Sequence, residues 1–144
     1  MKKILAEEET SKILEEFGIP APKEALAQSE EDALRIASEI GYPVVLKLAS
    51  PDIPNRSRAG CVLLNVNSEE EVRKGYREII KNAKEFKERA EILGVLVQKM
   101  LPQGKEVVVG LVKDERLVTV VFSLGGIFSD ILKDISYRNA PVTK

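Results

Sequence analysis

The sequence predicts an α+β protein, with a mixed helix-and-strand lobe over residues 1–91 and a mainly antiparallel β lobe over 92–144. Three observations predict it. Polar N-cap signals precede amphipathic segments in the first half. Two apolar, β-branched runs flank a polar loop between those segments. From Ile92 onward, short apolar runs alternate with turn residues, as in a meander.

Each element has a local reason. Ala6, Ile13, Leu14 and Phe17 stand among charges, and Gly18, Pro20 and Pro22 follow, so a short helix is expected over 6–17. Ser29 precedes Glu30, Glu31 and Asp32, acids that suit the positive end of a helix dipole. Leu34, Ile36, Ala37 and Ile40 give that helix a buried side, and Gly41 stops it. Val44 to Leu48 is a run apolar at every position but Lys47 and reads as a buried strand. Val62 to Val66 reads as a second strand. Ser68 and Glu71 form a capping box that opens the longest helix, over about 69–90. Val72, Tyr76, Ile79, Ile80 and Ala83 share its inner face, and its many charges form a solvated outer face.

The second half reads as strands over Gly94–Met100, Glu106–Val112 and Leu117–Phe122, with turns at Pro102–Gly104 and Lys113–Arg116. Gly125 and Gly126 break the chain, and Ile127–Leu132 and Ile135–Tyr137 can add one or two strands.

Composition excludes several functions. The 144 residues are 44% hydrophobic and 31% charged, as in ordinary globular proteins. A net charge of -1 argues against bulk electrostatic binding to nucleic acid or an anionic membrane. No apolar run is long enough to cross a bilayer. The first residues turn acidic before a signal-peptide core could form. A single cysteine, Cys61, excludes an internal disulfide and makes a reducing cytoplasm the expected setting. The absence of histidine argues against a structural zinc site.

Lys47 lies near the end of a buried strand, next to a loop. Its ammonium can point at phosphate oxygens, or it can be the first exposed residue after the strand; spacing alone does not choose. The loop Asn55–Gly60 holds Arg56, Ser57 and Arg58. Guanidinium forks and backbone amides in such a loop can wrap phosphates, although composition alone favours a solvent-exposed basic loop. Cys61 is a small strand residue rather than a nucleophile, since no histidine exists to activate it. Met100 and Leu101 read by themselves as core, and Glu106 as an ordinary charge at a strand's start.

These segments together resemble the ATP-grasp subunit of ADP-forming acyl-CoA synthetases. The likeness runs from Ile13–Pro22, through 43–65 and Gln98–Glu106, to Leu124–Arg138 and on to Pro141. The family loop reads His-Lys-Ser-Asp and then two glycines. Here Asn55 stands at the histidine that can carry a phosphoryl group, Arg58 at the acid and Cys61 at the second glycine. The family's Gly-Leu-Gly-Gly-Ile-Phe-Val-Glu run appears with Ser123, Ser129 and Asp130 in place of its first Gly, its Val and its Glu.

The resemblance implies several roles. Lys47, Arg56, Ser57 and Gly60 would hold phosphates. Gln98, Met100 and Leu101 would line an adenine slot, and Glu106 would take the ribose hydroxyls. Asp130 would assist phosphoryl transfer or magnesium placement. The implied ligands are ATP or ADP with Mg2+, and the implied partner is a CoA-binding α subunit, with a homo-oligomer as the alternative. Asn55 is a poor phosphoryl acceptor, so the chain alone is expected to have no acyl-CoA synthetase turnover. The family's later magnesium-ligand segment has no counterpart before Lys144, and the β lobe is expected to be incomplete. A non-catalytic nucleotide-binding or assembly module is the other implied reading.

Overall fold

A computed structural model describes residues 7–114, 116–125 and 134–142. Its elements run α1 (Glu7–Glu16), β1 (Glu24–Ala27), α2 (Glu30–Ile40), β2 (Val44–Ala49), β3 (Val62–Val66), α3 (Glu69–Phe86), β4 (Gly94–Lys99), β5 (Val107–Lys113), β6 (Val118–Leu124) and β7 (Ile135–Asn139). Two compact units divide after Leu101. The α+β class stands.

The first unit is built on a four-stranded antiparallel sheet of order β1-β4-β2-β3. Leu46 and Leu48 on β2, Val95 and Val97 on β4, and Ala27 on β1 are fully buried against Ala33, Ile36 and Ala37 of α2 and Val72, Ile79 and Ala83 of α3. Each large aliphatic side chain removed from water in this way contributes about 1.5–3 kcal/mol.

Both long helices start where the caps predict. The Ser29 Oγ accepts the Asp32 N–H at 3.1 Å, and the Ser68 Oγ accepts the Glu71 N–H at 3.2 Å. The Glu71 carboxylate reaches back to the Asn67 N–H at 2.7 Å. α3 stops at Phe86, short of the expected residue 90, with Lys87 in extended backbone. The segment Lys87–Arg89 offers no apolar side chain to the core, so nothing favours another helical turn.

Two departures concern strands. Glu24-Ala-Leu-Ala is made of helix formers, yet it is β1, because pairing with β4 (Ala25 opposite Val97, Leu26 opposite Leu96) outweighs local propensity. β4 follows the expected lobe boundary at residues 91/92, but it lies between β1 and β2 in the first sheet. Gly94 opens β4 at φ +147, and a Cβ there would run into the Ala27 carbonyl oxygen. Only glycine lets β1 approach that closely.

The second unit is a three-stranded antiparallel meander, β5-β6-β7. The Asp114 carboxylate accepts the Arg116 and Leu117 N–H groups at 2.8 Å each, closing the β5–β6 turn. The expected Ile127–Leu132 strand lies outside the described residues.

Candidate functional site

The best-defined polar constellation lies on the sheet face away from α2 and α3, and Ser11 of α1 reaches it. Across β1, β4 and β2, Glu24 stands opposite Gln98, and Gln98 opposite Val45. Lys47 stands opposite Leu96, two residues from Gln98 on the same strand face. The Lys47 Nζ donates to Gln98 Oε1 at 2.8 Å. The Gln98 Nε2 donates to Glu24 Oε2 at 2.5 Å, and the Ser11 Oγ of α1 donates to Glu24 Oε1 at 2.5 Å. All four residues are half-buried. An amphipathic lysine stem along a sheet, with its head held at the surface, is a good point charge for an anion.

The β2–β3 loop leaves β2 after Ala49, and its far end returns beside that strand, where the Leu48 N–H donates to the Cys61 carbonyl at 3.0 Å. Its ends are therefore set beside Lys47, which is registered opposite Val62. The loop is anchored by Ile53, Ala59 and Cys61, all buried. Between those anchors it is a compact turn. The Ala59 N–H donates to the Asn55 carbonyl at 3.3 Å, the Gly60 N–H to Ser57 at 3.1 Å, and the Cys61 N–H to Arg56 at 2.8 Å. The Asn55 Oδ1 accepts the Arg58 N–H at 3.1 Å, as a cap does. Gly60 sits at φ +65, and Asn82 Nδ2 donates to its carbonyl at 2.7 Å. Ser57 and Arg58 are exposed and Arg56 is half-buried.

Asp52 fastens the start of the loop. Its carboxylate accepts the Lys87 ammonium at 2.7 Å and the Glu91 N–H at 2.7 Å. The Glu91 N–H and the Lys87 ammonium hold its carboxyl below the usual aspartate range. Cys61 is fully buried, and burial pushes its thiol up, which fits a packing residue.

The remaining expected residues lie elsewhere in their units. Met100 is half-buried past the end of β4, its N–H donating to the Pro43 carbonyl at 3.1 Å. Leu101 is 56% exposed and is not core within its unit. Glu106 belongs to the second unit, is exposed, and accepts the Gly125 N–H on its carbonyl at 2.8 Å. Asp130 lies outside the described residues.

Thus Lys47 and Gln98 are brought into contact, with the Asn55–Gly60 loop leaving the same strand. Sequence reading missed Glu24, Ser11 and Asp52. The signal for Glu24 was the alternation Glu24, Leu26 against Ala25, Ala27, which only a strand uses. Among the described residues, no group of three His, Cys, Asp or Glu side chains is placed to hold a metal ion. No helix among them is long and apolar enough to cross a membrane.

Comparison with known proteins agrees with this architecture. The family model described as an ATP-grasp domain matches residues 1–144. The β subunit of ADP-forming acetate–CoA ligase I from Pyrococcus furiosus is 47% identical over 141 residues, covering 97% of this chain and 61% of that subunit. The dinucleotide-forming acetyl-coenzyme A synthetase 1 of Ca. Korarchaeum cryptofilum, solved with coenzyme A, Ca-AMPCP and HgCl+, matches with TM-score 0.89 and 46% identity. That match covers 94% of this chain and 60% of the solved one. A second structure of that synthetase, with coenzyme A and Mg-AMPPCP and its phosphohistidine segment pointing towards the nucleotide-binding site, matches with TM-score 0.78 and 41% identity, covering 96% and 58%. The chain spans about three fifths of the length of these relatives. Over its whole length, then, this chain belongs to the ATP-grasp domain family, with strong homology to the β subunits of ADP-forming acetate–CoA ligases.

Proposed function

We propose that the chain is the ATP- or ADP-binding component of an ADP-forming acyl-CoA synthetase, with Lys47 as its principal phosphate contact. One observation carries this reading: the half-buried Lys47 ammonium is held by Gln98 on the sheet face away from α2 and α3, and an arginine-bearing loop leaves the same strand. A fixed ammonium, loop guanidiniums and backbone amides are the donor set that polyphosphate needs. Arg56, Ser57 and Gly60 would add contacts from the loop. Gln98, which the resemblance set in the adenine slot, has both ends of its amide engaged by Lys47 and Glu24, so Met100 and Leu101 would serve adenine and Glu106 the ribose. Bound nucleotide analogues in the related synthetase support the ligand class.

Mg2+ would neutralise phosphate charge when bound with the nucleotide. Asp130 is the residue of this chain proposed to meet it. The CoA-binding chemistry would belong to a partner α subunit. Phosphoryl transfer in such an enzyme would pass between nucleotide and a phosphohistidine on that partner. Asn55 cannot take that role here, because its amide is a poor nucleophile and its oxygen is already used to cap Arg58. The chain alone is therefore proposed to lack turnover.

A non-catalytic nucleotide-binding or assembly role is the second reading. The cap made by Asn55 favours it, since that residue serves the loop's shape.

Calorimetric titration of ATP and ADP, with and without magnesium, tests the first reading. Saturable binding by the wild type that weakens tenfold or more in Lys47→Ala is the expected result, the usual scale for a hydrogen bond to a charged group. No binding at millimolar nucleotide would reject the reading and leave the assembly role. ATP formation from ADP, phosphate and acetyl-CoA by the isolated chain would reject the proposed lack of turnover.

A further inference from the structure

We propose that Glu24 is a positioning residue for the nucleotide phosphates: it fixes the orientation of the Gln98 amide, and that amide fixes the Lys47 ammonium. The inference rests on the reading of Lys47 as a phosphate contact. Its own basis is the hydrogen-bond chain from Ser11 through Glu24 and Gln98 to Lys47.

The direction of each bond follows from chemistry. An ionised carboxylate only accepts and an ammonium only donates. An amide between them has one arrangement that satisfies both: Nε2 toward Glu24 and Oε1 toward Lys47. Flipping the amide would set a donor against the ammonium and an acceptor against the carboxylate. Glu24 thus decides which end of Gln98 meets Lys47. It is itself held from the other side by the Ser11 hydroxyl.

The amide also separates charges. A glutamate bonded directly to Lys47 would form an ion pair and compete with phosphate for the ammonium. With neutral Gln98 interposed, Lys47 is held in place while its charge stays available. The register makes this possible, because Glu24 and Gln98 face each other across β1 and β4, and Lys47 lies diagonally beyond on β2. The arrangement also links α1 to the phosphate contact, because Ser11 is an α1 residue.

A double-mutant cycle tests the proposal. ATP and AMP affinities are measured by calorimetry for the wild type, Glu24→Ala, Glu24→Gln, Lys47→Ala and Glu24→Ala with Lys47→Ala. AMP lacks the outer phosphates. Glu24→Ala is expected to weaken ATP about tenfold and to leave AMP unchanged. Glu24→Gln, whose amide oxygen still accepts from Gln98 Nε2, is expected to retain most of the ATP affinity. On the Lys47→Ala chain, Glu24→Ala is expected to have no further effect. Equal losses for ATP and AMP, equal losses with and without Lys47, or unchanged ATP affinity would overturn the relay.

A second measurement needs no nucleotide. In NMR spectra of the wild type, the Lys47 ammonium and Gln98 side-chain amide protons are expected to be shifted and slowed in exchange. Both signatures should vanish in Glu24→Ala and persist in Glu24→Gln. If the wild type binds no ATP, the nucleotide reading fails while this spectrum still decides the relay. Spectra unaffected by Glu24→Ala would overturn it.

Discussion

The Asp52 carboxylate accepts the Lys87 ammonium at 2.7 Å, tying the first turn of the β2–β3 loop to the residue just past α3. The same carboxylate accepts the Glu91 N–H, and the Ser50 Oγ donates to the Glu91 carbonyl at 2.6 Å. The loop proposed to meet phosphate is therefore fastened at its base.

That fastening has a pH signature. The folded Asp52 carboxyl is held below its ordinary range by the Glu91 N–H first and Lys87 next. A depressed carboxyl contributes stability that is fully present above its unfolded pKa, about 3.9, and is lost as pH falls through the lower folded value. Asp52→Asn is expected to lower the melting temperature at pH 7 and to make it less sensitive to acid below about pH 4. Thermal unfolding between pH 2.5 and 7 checks this; parallel curves for both proteins would contradict it.

Gly94 carries a steric expectation. Any side chain there meets the Ala27 backbone carbonyl, and φ +147 is unfavourable for L residues. Gly94→Ala is expected to cost about 2–4 kcal/mol, because relief requires moving the β1 backbone away from β4. Urea unfolding measures it, and a loss below about 1 kcal/mol would mean that the two strands separate easily.

The Asn55 cap can be separated from phosphate chemistry. Asn55→Ala removes an acceptor for the Arg58 N–H and is expected to cost about 1 kcal/mol. Incubation with ATP labelled on its terminal phosphate should leave both the wild type and this variant unlabelled. Acid-labile label on the wild type would show a phosphoryl acceptor that the histidine-free sequence does not suggest.

Cys61 should be chemically silent. It is fully buried, its thiol contacts the Ala59 and Ile79 carbonyls, and burial raises its pKa. A thiol reagent at pH 8 is expected to modify it only at the rate of unfolding, with full reaction in denaturant. Rapid native labelling would place the residue nearer the surface.

The sequence alone determined whatever depends on neighbours along the chain. Ser29 and Ser68 announced their helices, because a capping side chain reaches only three residues forward. The α+β class followed from apolar periodicity, and Lys47 was marked by its place near the end of an apolar run. Tertiary structure alone decided what depends on distant partners. Glu24-Ala-Leu-Ala became a strand because β4 pairs with it, and β4 joined the first sheet because β1 and β2 flank it. The Lys47–Gln98–Glu24 chain unites residues 51 and 74 positions apart, a contact no local pattern encodes. Short-range hydrogen bonding is written in spacing, whereas strand pairing over long separations is chosen by which faces can be buried together.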